Sequence, residues 1–214
     1  MAVNSFQEER ETPEYATIAE LADNVVYRIP SCDNETVRRM LRDSYSEFCR
    51  LANALVTEQT IPLEVGEADY PVVNMTPDCR VECVRAVFLN RHKLREGMDY
   101  RVGAGVPPML AVNAIHLPAR AADERELVVS CLEMPNHGSE KAPRWFIRKY
   151  GEAIVAGALV KLFSMGNCSW ADQTQARLEL GKWEGYVASA RLGSMNGSPF
   201  GNGNFNTIDT SDLV

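Results

Sequence analysis

The side chains best suited to chemistry are the six cysteines and three histidines of this 214-residue chain. The cysteines occupy positions 32, 49, 79, 83, 131 and 168. None of them forms a Cys-x-x-Cys pair, and the histidines lack the close spacing of a metal-binding pair. The sequence therefore predicts neither a metal site nor a cofactor.

An enzyme with a cysteine nucleophile, such as Cys49 or Cys131, is the catalytic alternative that the sequence leaves open. Fast alkylation would identify such a thiolate, because a buried structural thiol reacts slowly. Cys79 and Cys83 are expected to share one face of a strand and to pack as small apolar side chains. The prediction for the whole chain is that it is not an enzyme.

The histidines and a glycine-rich loop give equally little support to catalysis. His92, His116 and His137 fall on a predicted turn, strand and linker, without a partner at catalytic spacing. The segment VGAGVPP, residues 102–108, lacks the third glycine and the following helix of a dinucleotide site. It is predicted to be an ordinary turn.

Charge, the N-terminal sequence and hydropathy argue against three further classes of protein: nucleic-acid-binding, secreted and membrane-spanning. The 22 basic and 29 acidic residues give a net charge of −7, which opposes binding to the phosphate backbone of nucleic acids. The polar N-terminus does not resemble a secretory signal, so we expect a reducing, cytoplasmic environment. Glu152 and Lys161 bracket only eight uncharged residues, far short of the roughly 20 that cross a membrane.

The elements that must position these residues are helices at both ends of the chain. Helical periodicity begins at Thr17, and Asp33 is a predicted N-cap for a long amphipathic helix. A second long helix follows Pro143, and a last helix, capped by Ser169 with Asp172, is expected to end at Gly193. The predicted packing or subunit-contact residues are Ile154, Val155, Leu159, Phe163, Leu180, Trp183 and Val187.

Between the helices, short runs rich in β-branched residues predict an antiparallel β subdomain over residues 58–142. The predicted fold is therefore α+β: a bundle of about four helices, from residues 17–57 and 143–193, with this β insertion. Residues 1–16 are expected to form a flexible arm. The helix over residues 150–165 is apolar on two faces, which predicts packing on both sides.

Residues 194–214 are rich in Gly, Asn and Ser and cannot build a packed element alone. Composition favours a disordered terminus. The functional alternative is an extended arm that docks on another protein through spaced apolar side chains. Those side chains are Phe200, Phe205, Ile208 and Leu213.

Three stretches carry a resemblance to a known family. They are VRRMLRDSYSEFCR in the long helix, LNRHKLREGMDYRV in the β region, and RWFIRKYGEAIVAGALVKLFSM with the following ADQTQARLELGKWEGYVASAR. In their order along the chain and in their amino-acid sequence, they resemble the head-to-tail connector proteins of tailed bacteriophages, also called adaptor or tail tubular proteins. The likeness extends over residues 17–193.

The resemblance implies a structural protein of the virion neck that assembles in the host cytoplasm. Such proteins form a homo-oligomeric ring, usually a dodecamer, between the portal protein and the tail or nozzle protein. Genome DNA passes through the ring without specific binding. The C-terminal arm of such proteins commonly engages the portal, so Phe200, Phe205, Ile208 and Leu213 are the expected portal-binding residues. Another neck or tail component, such as a tail completion or terminator protein, remains an alternative.

Overall fold

A computed structural model describes residues 14–63, 67–90, 92–113 and 126–196 of the chain. It combines helices with antiparallel sheets, which confirms the mixed α+β class. A 3-10 turn over Ile18–Leu21 precedes helix α1. The helices are α1 (Ala22–Val26), α2 (Asn34–Ala52), α3 (Arg144–Phe163) and α4 (Gln173–Asn196).

The strands lie between α2 and α3 in the chain, except for the first, which precedes the helices. They are β1 (Tyr15–Thr17), β2 (Val56–Pro62), β3 (Asp69–Pro71), β4 (Cys79–Leu89), β5 (His92–Lys93), β6 (Tyr100–Gly103), β7 (Met109–Val112), β8 (Glu126–Pro135) and β9 (Lys141–Pro143). The described strands form a four-stranded sheet in the order β2-β8-β4-β5, a three-stranded sheet β3-β7-β6, and the pair β1-β9.

The buried apolar side chains form two separate clusters, one centred on the helices and one on the strands. One cluster of buried side chains joins all four helices and includes Leu132 and Met134 from β8. The other is built from the strands and includes Val87, Leu110 and Leu127. The backbone N–H of Glu133 donates to the carbonyl of Leu55 at 2.9 Å, which fixes β8 against the chain that leaves α2.

Helix α2 begins where the sequence predicts. The Asp33 carboxylate accepts a hydrogen bond from the Thr36 N–H at 2.8 Å, as an N-cap does. The helix ends at Asn53, which has the left-handed conformation (φ 50°) that closes many helices.

Helix α3 packs between α2 and α4, as its two apolar faces predict. Gly157 allows the closest of these approaches, because a β-carbon at that position would lie 2.5 Å from Cζ3 of Trp183. Gly151 faces Leu21, whose Cδ2 would be 3.1 Å from such an atom. These contacts offset the cost of about 0.5–1 kcal/mol that a glycine brings to a helix interior.

Three sequence predictions about element ends were wrong. Tyr15 and Ala16, assigned to a flexible arm, lie in β1 and pair with Pro143 and Ala142. The predicted cap of α4 paired Ser169 with Asp172, but Asp172 alone caps the helix. Its carboxylate accepts hydrogen bonds from the N–H groups of Thr174 and Gln175 at 2.8 and 3.1 Å. Helix α4 also continues past Gly193 to Asn196.

Candidate interaction surface

The two candidate thiols lack the properties of a nucleophile. Cys49 and Cys131 are buried, and burial raises the pKa of Cys49 well above its usual value and that of Cys131 to about 12. A catalytic cysteine needs the opposite shift, toward the thiolate at neutral pH. These two side chains therefore pack as small apolar groups.

Cys83 is the one cysteine whose predicted environment was wrong. It is exposed, whereas Cys79 on the same strand is buried. The ladder between β4 and β8 shifts register between Val81 and Cys83, leaving Glu82 as an extra residue. Such a β-bulge interrupts the alternation of side chains, so positions 79 and 83 no longer share a face.

The buried Glu133 is a polar group that no sequence pattern singles out. Its carboxylate accepts hydrogen bonds from the backbone N–H groups of Met75 and Thr76, the latter at 3.0 Å. Burial, followed by the charge of Glu133, raises the pKa of Cys79 to about 12. With both carboxylate oxygens occupied by backbone donors, Glu133 fixes a loop and does not face a substrate.

The other chemical candidates form no metal-binding or nucleotide-binding group among the described residues. His92 and His137 are exposed, and His116 lies outside the part that the structure describes. Among the described residues, no group of three His, Cys, Asp or Glu side chains could hold a metal ion. Residues 102–108 complete β6 and lead into β7 in a hairpin, so a strand and not a helix follows the glycines, and no helix N-terminus holds a pyrophosphate there.

The predicted contact residues on α3 are already covered within one chain. Ile154, Val155, Leu159 and Phe163 are buried in the helical core. On α4, Trp183 is buried and Val187 packs against the same core, whereas Leu180 is 40% exposed. Of the two roles predicted for these residues, the described contacts show helix packing, because the second face of α3 is covered by α4.

An exposed apolar face lies on the outer side of α4. Among the side chains of this 24-residue helix that the structure describes, only a narrow stripe is buried, at Ala176, Glu179, Trp183 and Ala190. On the opposite side, Leu178 is 57% and Leu192 is 61% exposed. The outer face of α4 is defined by Leu178, Gly181, Gly185, Ala188 and Leu192, all of them exposed.

The predicted contact residues did not include this face, although the sequence contains a pattern that marks it. Leu178, Gly185 and Leu192 are seven residues apart, and Gly181 and Ala188 follow the first two by three residues. This is the heptad spacing of a helix-packing seam. A second seam, which includes Ala176, Trp183 and Ala190, points to the core, and the predicted contact residue Trp183 belongs to it.

A cleft of about 440 Å³ lies beside this face, between α1, α3 and α4. Glu179 is almost fully buried in its wall and forms ion pairs with Arg28 at 3.0 Å and with Lys182 at 2.8 Å. Tyr186 donates to the carboxylate of Glu152 at 3.1 Å, and Tyr27 stands 90% exposed at the rim. Each carboxylate already has a partner, which suits a structural cleft better than acid-base chemistry.

The end of α4 is fastened to the rest of the chain. The Arg85 guanidinium donates to the Ser194 carbonyl at 2.7 Å and to its hydroxyl at 3.1 Å. That hydroxyl donates to the Asn53 carbonyl at 2.9 Å. The end of α4 is therefore held at a point where α2, β4 and α4 meet. We call Arg85, Ser194 and Asn53 the Ser194 clasp.

The four predicted portal-binding residues, Phe200, Phe205, Ile208 and Leu213, lie outside the described residues. No helix in the described ranges is long and apolar enough to span a bilayer. The chain matches no protein-family model and no curated protein.

Proposed function

We propose that this chain is a non-enzymatic adaptor protein of a phage neck, forming a ring between the portal protein and the tail. The proposal joins the resemblance of residues 17–193 to head-to-tail connector proteins with one structural observation. That observation is the outer face of α4, whose apolar side chains a single chain leaves uncovered. Exposed apolar surface of this kind marks protein interaction sites.

In the proposed architecture the helices form a bundle, into which residues 58–142 are inserted as a β subdomain. The two separate apolar cores support this division. Neighbouring copies cover the exposed helical surface in the ring, in interfaces that reach roughly 2,000–5,000 Å² in obligate assemblies.

The C-terminal arm is the proposed portal contact. The Ser194 clasp supports this role, because it gives the arm a defined starting point on each copy. The negative net charge of −7, repeated around a ring, would keep genome DNA from adhering to the channel wall.

The decisive experiment mixes the purified chain with the portal protein of the same virus and measures the mass of the complex. The expected product is a ring of several copies bound to the portal. A chain that never joins the portal would contradict the proposal. Binding to the end of the tail tube instead would favour a terminator protein.

A further inference from the structure

Two glycines of α4, Gly181 and Gly185, lie on its exposed outer face. A β-carbon on either of them, or on Gly193, would meet no described atom within 4 Å beyond the backbone of α4 itself, whereas one on Gly157 would collide with Trp183. A glycine in a helix interior is unfavourable unless its missing side chain permits a close approach. Gly181 and Gly185 differ from Gly193 in lying on the apolar face, where they leave room for a second helix.

We infer that the outer face of α4 pairs with the same face of a second copy of this chain, with the two helices antiparallel. In an antiparallel heptad pair, each first-position residue faces a fourth-position residue of the other helix. This register places Gly185 opposite Ala188 and Gly181 opposite Leu192 of the second copy. Leu192 then meets a glycine, and the two backbones approach closely at the centre, where Gly185 faces Ala188.

The charges beside the seam select the antiparallel arrangement. Arg177, Glu184 and Arg191 flank it at seven-residue spacing, and all three are exposed. The antiparallel register brings Glu184 next to Arg191 of the second copy, and the two-fold symmetry repeats this pair. A parallel arrangement would instead place Arg177 next to Lys182 of the second copy, where the like charges repel.

The pair is a form of the free chain and does not depend on the neck assignment. A two-fold contact closes on itself, whereas a ring needs two different surfaces on each copy, so in the proposed ring the outer face of α4 meets a different surface of the neighbouring copy. One helix face on each side buries less than the roughly 1,000 Å² expected of a stable specific interface. The pair is therefore reversible and depends on protein concentration.

Sedimentation velocity over a range of concentrations tests the pair and its direction in the full chain. We expect monomer and dimer in reversible exchange. Glu184→Arg should weaken the dimer about tenfold, because two attractive contacts become repulsive. Adding Arg191→Glu to that variant should restore it. Arg177→Glu is the matched control and should leave dimerisation unchanged, whereas a strengthened dimer would indicate parallel helices and overturn the inference.

Glycine substitutions test the close approach. Gly185→Leu should abolish the dimer while the monomer stays folded, because its side chain enters open space in a single copy. Gly193→Leu, the same change off the seam of the same helix, should leave the dimer intact. Circular dichroism at low concentration reports the monomer fold in both. A wild-type chain that stays monomeric at all concentrations, or a dimer insensitive to Gly185→Leu, would overturn the inference.

Discussion

The indole of Trp183 lies against the backbone of Gly157, so closely that no β-carbon fits between them. This contact fixes the distance between α3 and α4. It also fixes the orientation of α4, since the helix face that holds Trp183 cannot turn away from the core without leaving a cavity. The outer face of α4 is exposed as a consequence.

Replacing Gly157 by alanine should destabilise the fold, although alanine is the better helix former. Overpacking costs about 1–3 kcal/mol, which outweighs the gain of about 0.5–1 kcal/mol in helix propensity. Urea denaturation at low protein concentration measures the difference.

Gly181→Ala is the matched control for that variant, because its β-carbon meets no described atom beyond the backbone of its own helix. It should raise the free energy of unfolding by about 0.5–1 kcal/mol. If Gly157→Ala and Gly181→Ala had the same free energy of unfolding, the contact between Gly157 and Trp183 would not limit how closely α3 and α4 pack.

Stability should depend on pH through the N-cap of α2. Hydrogen bonds from Thr36 hold the pKa of Asp33 below its ordinary value of about 3.8. A depressed pKa means that the carboxylate stabilises the fold above the unfolded pKa and that this contribution is lost as the pH falls through the folded pKa. Asp33→Asn keeps a good cap but removes the charge.

We therefore expect the melting temperature of the wild type to exceed that of Asp33→Asn at neutral pH, with the difference shrinking below about pH 4. Thermal unfolding of both proteins across this range is the measurement. A difference independent of pH would show that the charge of Asp33 contributes nothing to the cap.

Thiol accessibility should follow burial and not any catalytic pattern. We expect Cys83, which is exposed, to alkylate first in the folded protein. Cys49 and Cys131 should react only on unfolding, since burial also raises the pKa of each thiol. Peptide mass mapping after a short iodoacetamide pulse distinguishes them. Rapid labelling of Cys49 or Cys131 would revive the enzymatic alternative.

Removing the residues after Asn196 should separate folding from the proposed portal attachment. Truncation at this point keeps the Ser194 clasp, whereas a cut at 194 would destroy it. We expect an unchanged melting temperature and loss of binding to the portal. A truncated chain that still binds the portal would rule out docking by the arm.

The sequence predicted the elements whose signals are local. The Asp33 cap, the apolar periodicity of α2 and the two-sided burial of α3 all depend on residues within a few turns of one another.

The features that escaped prediction depend on distant partners. β1 pairs with β9, more than a hundred residues away, so no local pattern marks it as a strand. The bulge at Glu82 is defined by its partner strand β8. The extension of α4 past Gly193 is held by Arg85, which contacts Ser194 across the fold. The outer face of α4 was missed because a sequence with two seams does not reveal which one faces the core.

The Ser194 clasp also has a mechanical consequence. A helix end without such fastening unravels turn by turn under tension. Here a pull applied beyond Asn196 would load the hydrogen bonds from Arg85 and to Asn53 together, and would pass into β4 and the end of α2. Part of such a load would therefore be borne by two elements outside α4 and not by the hydrogen bonds of this helix alone.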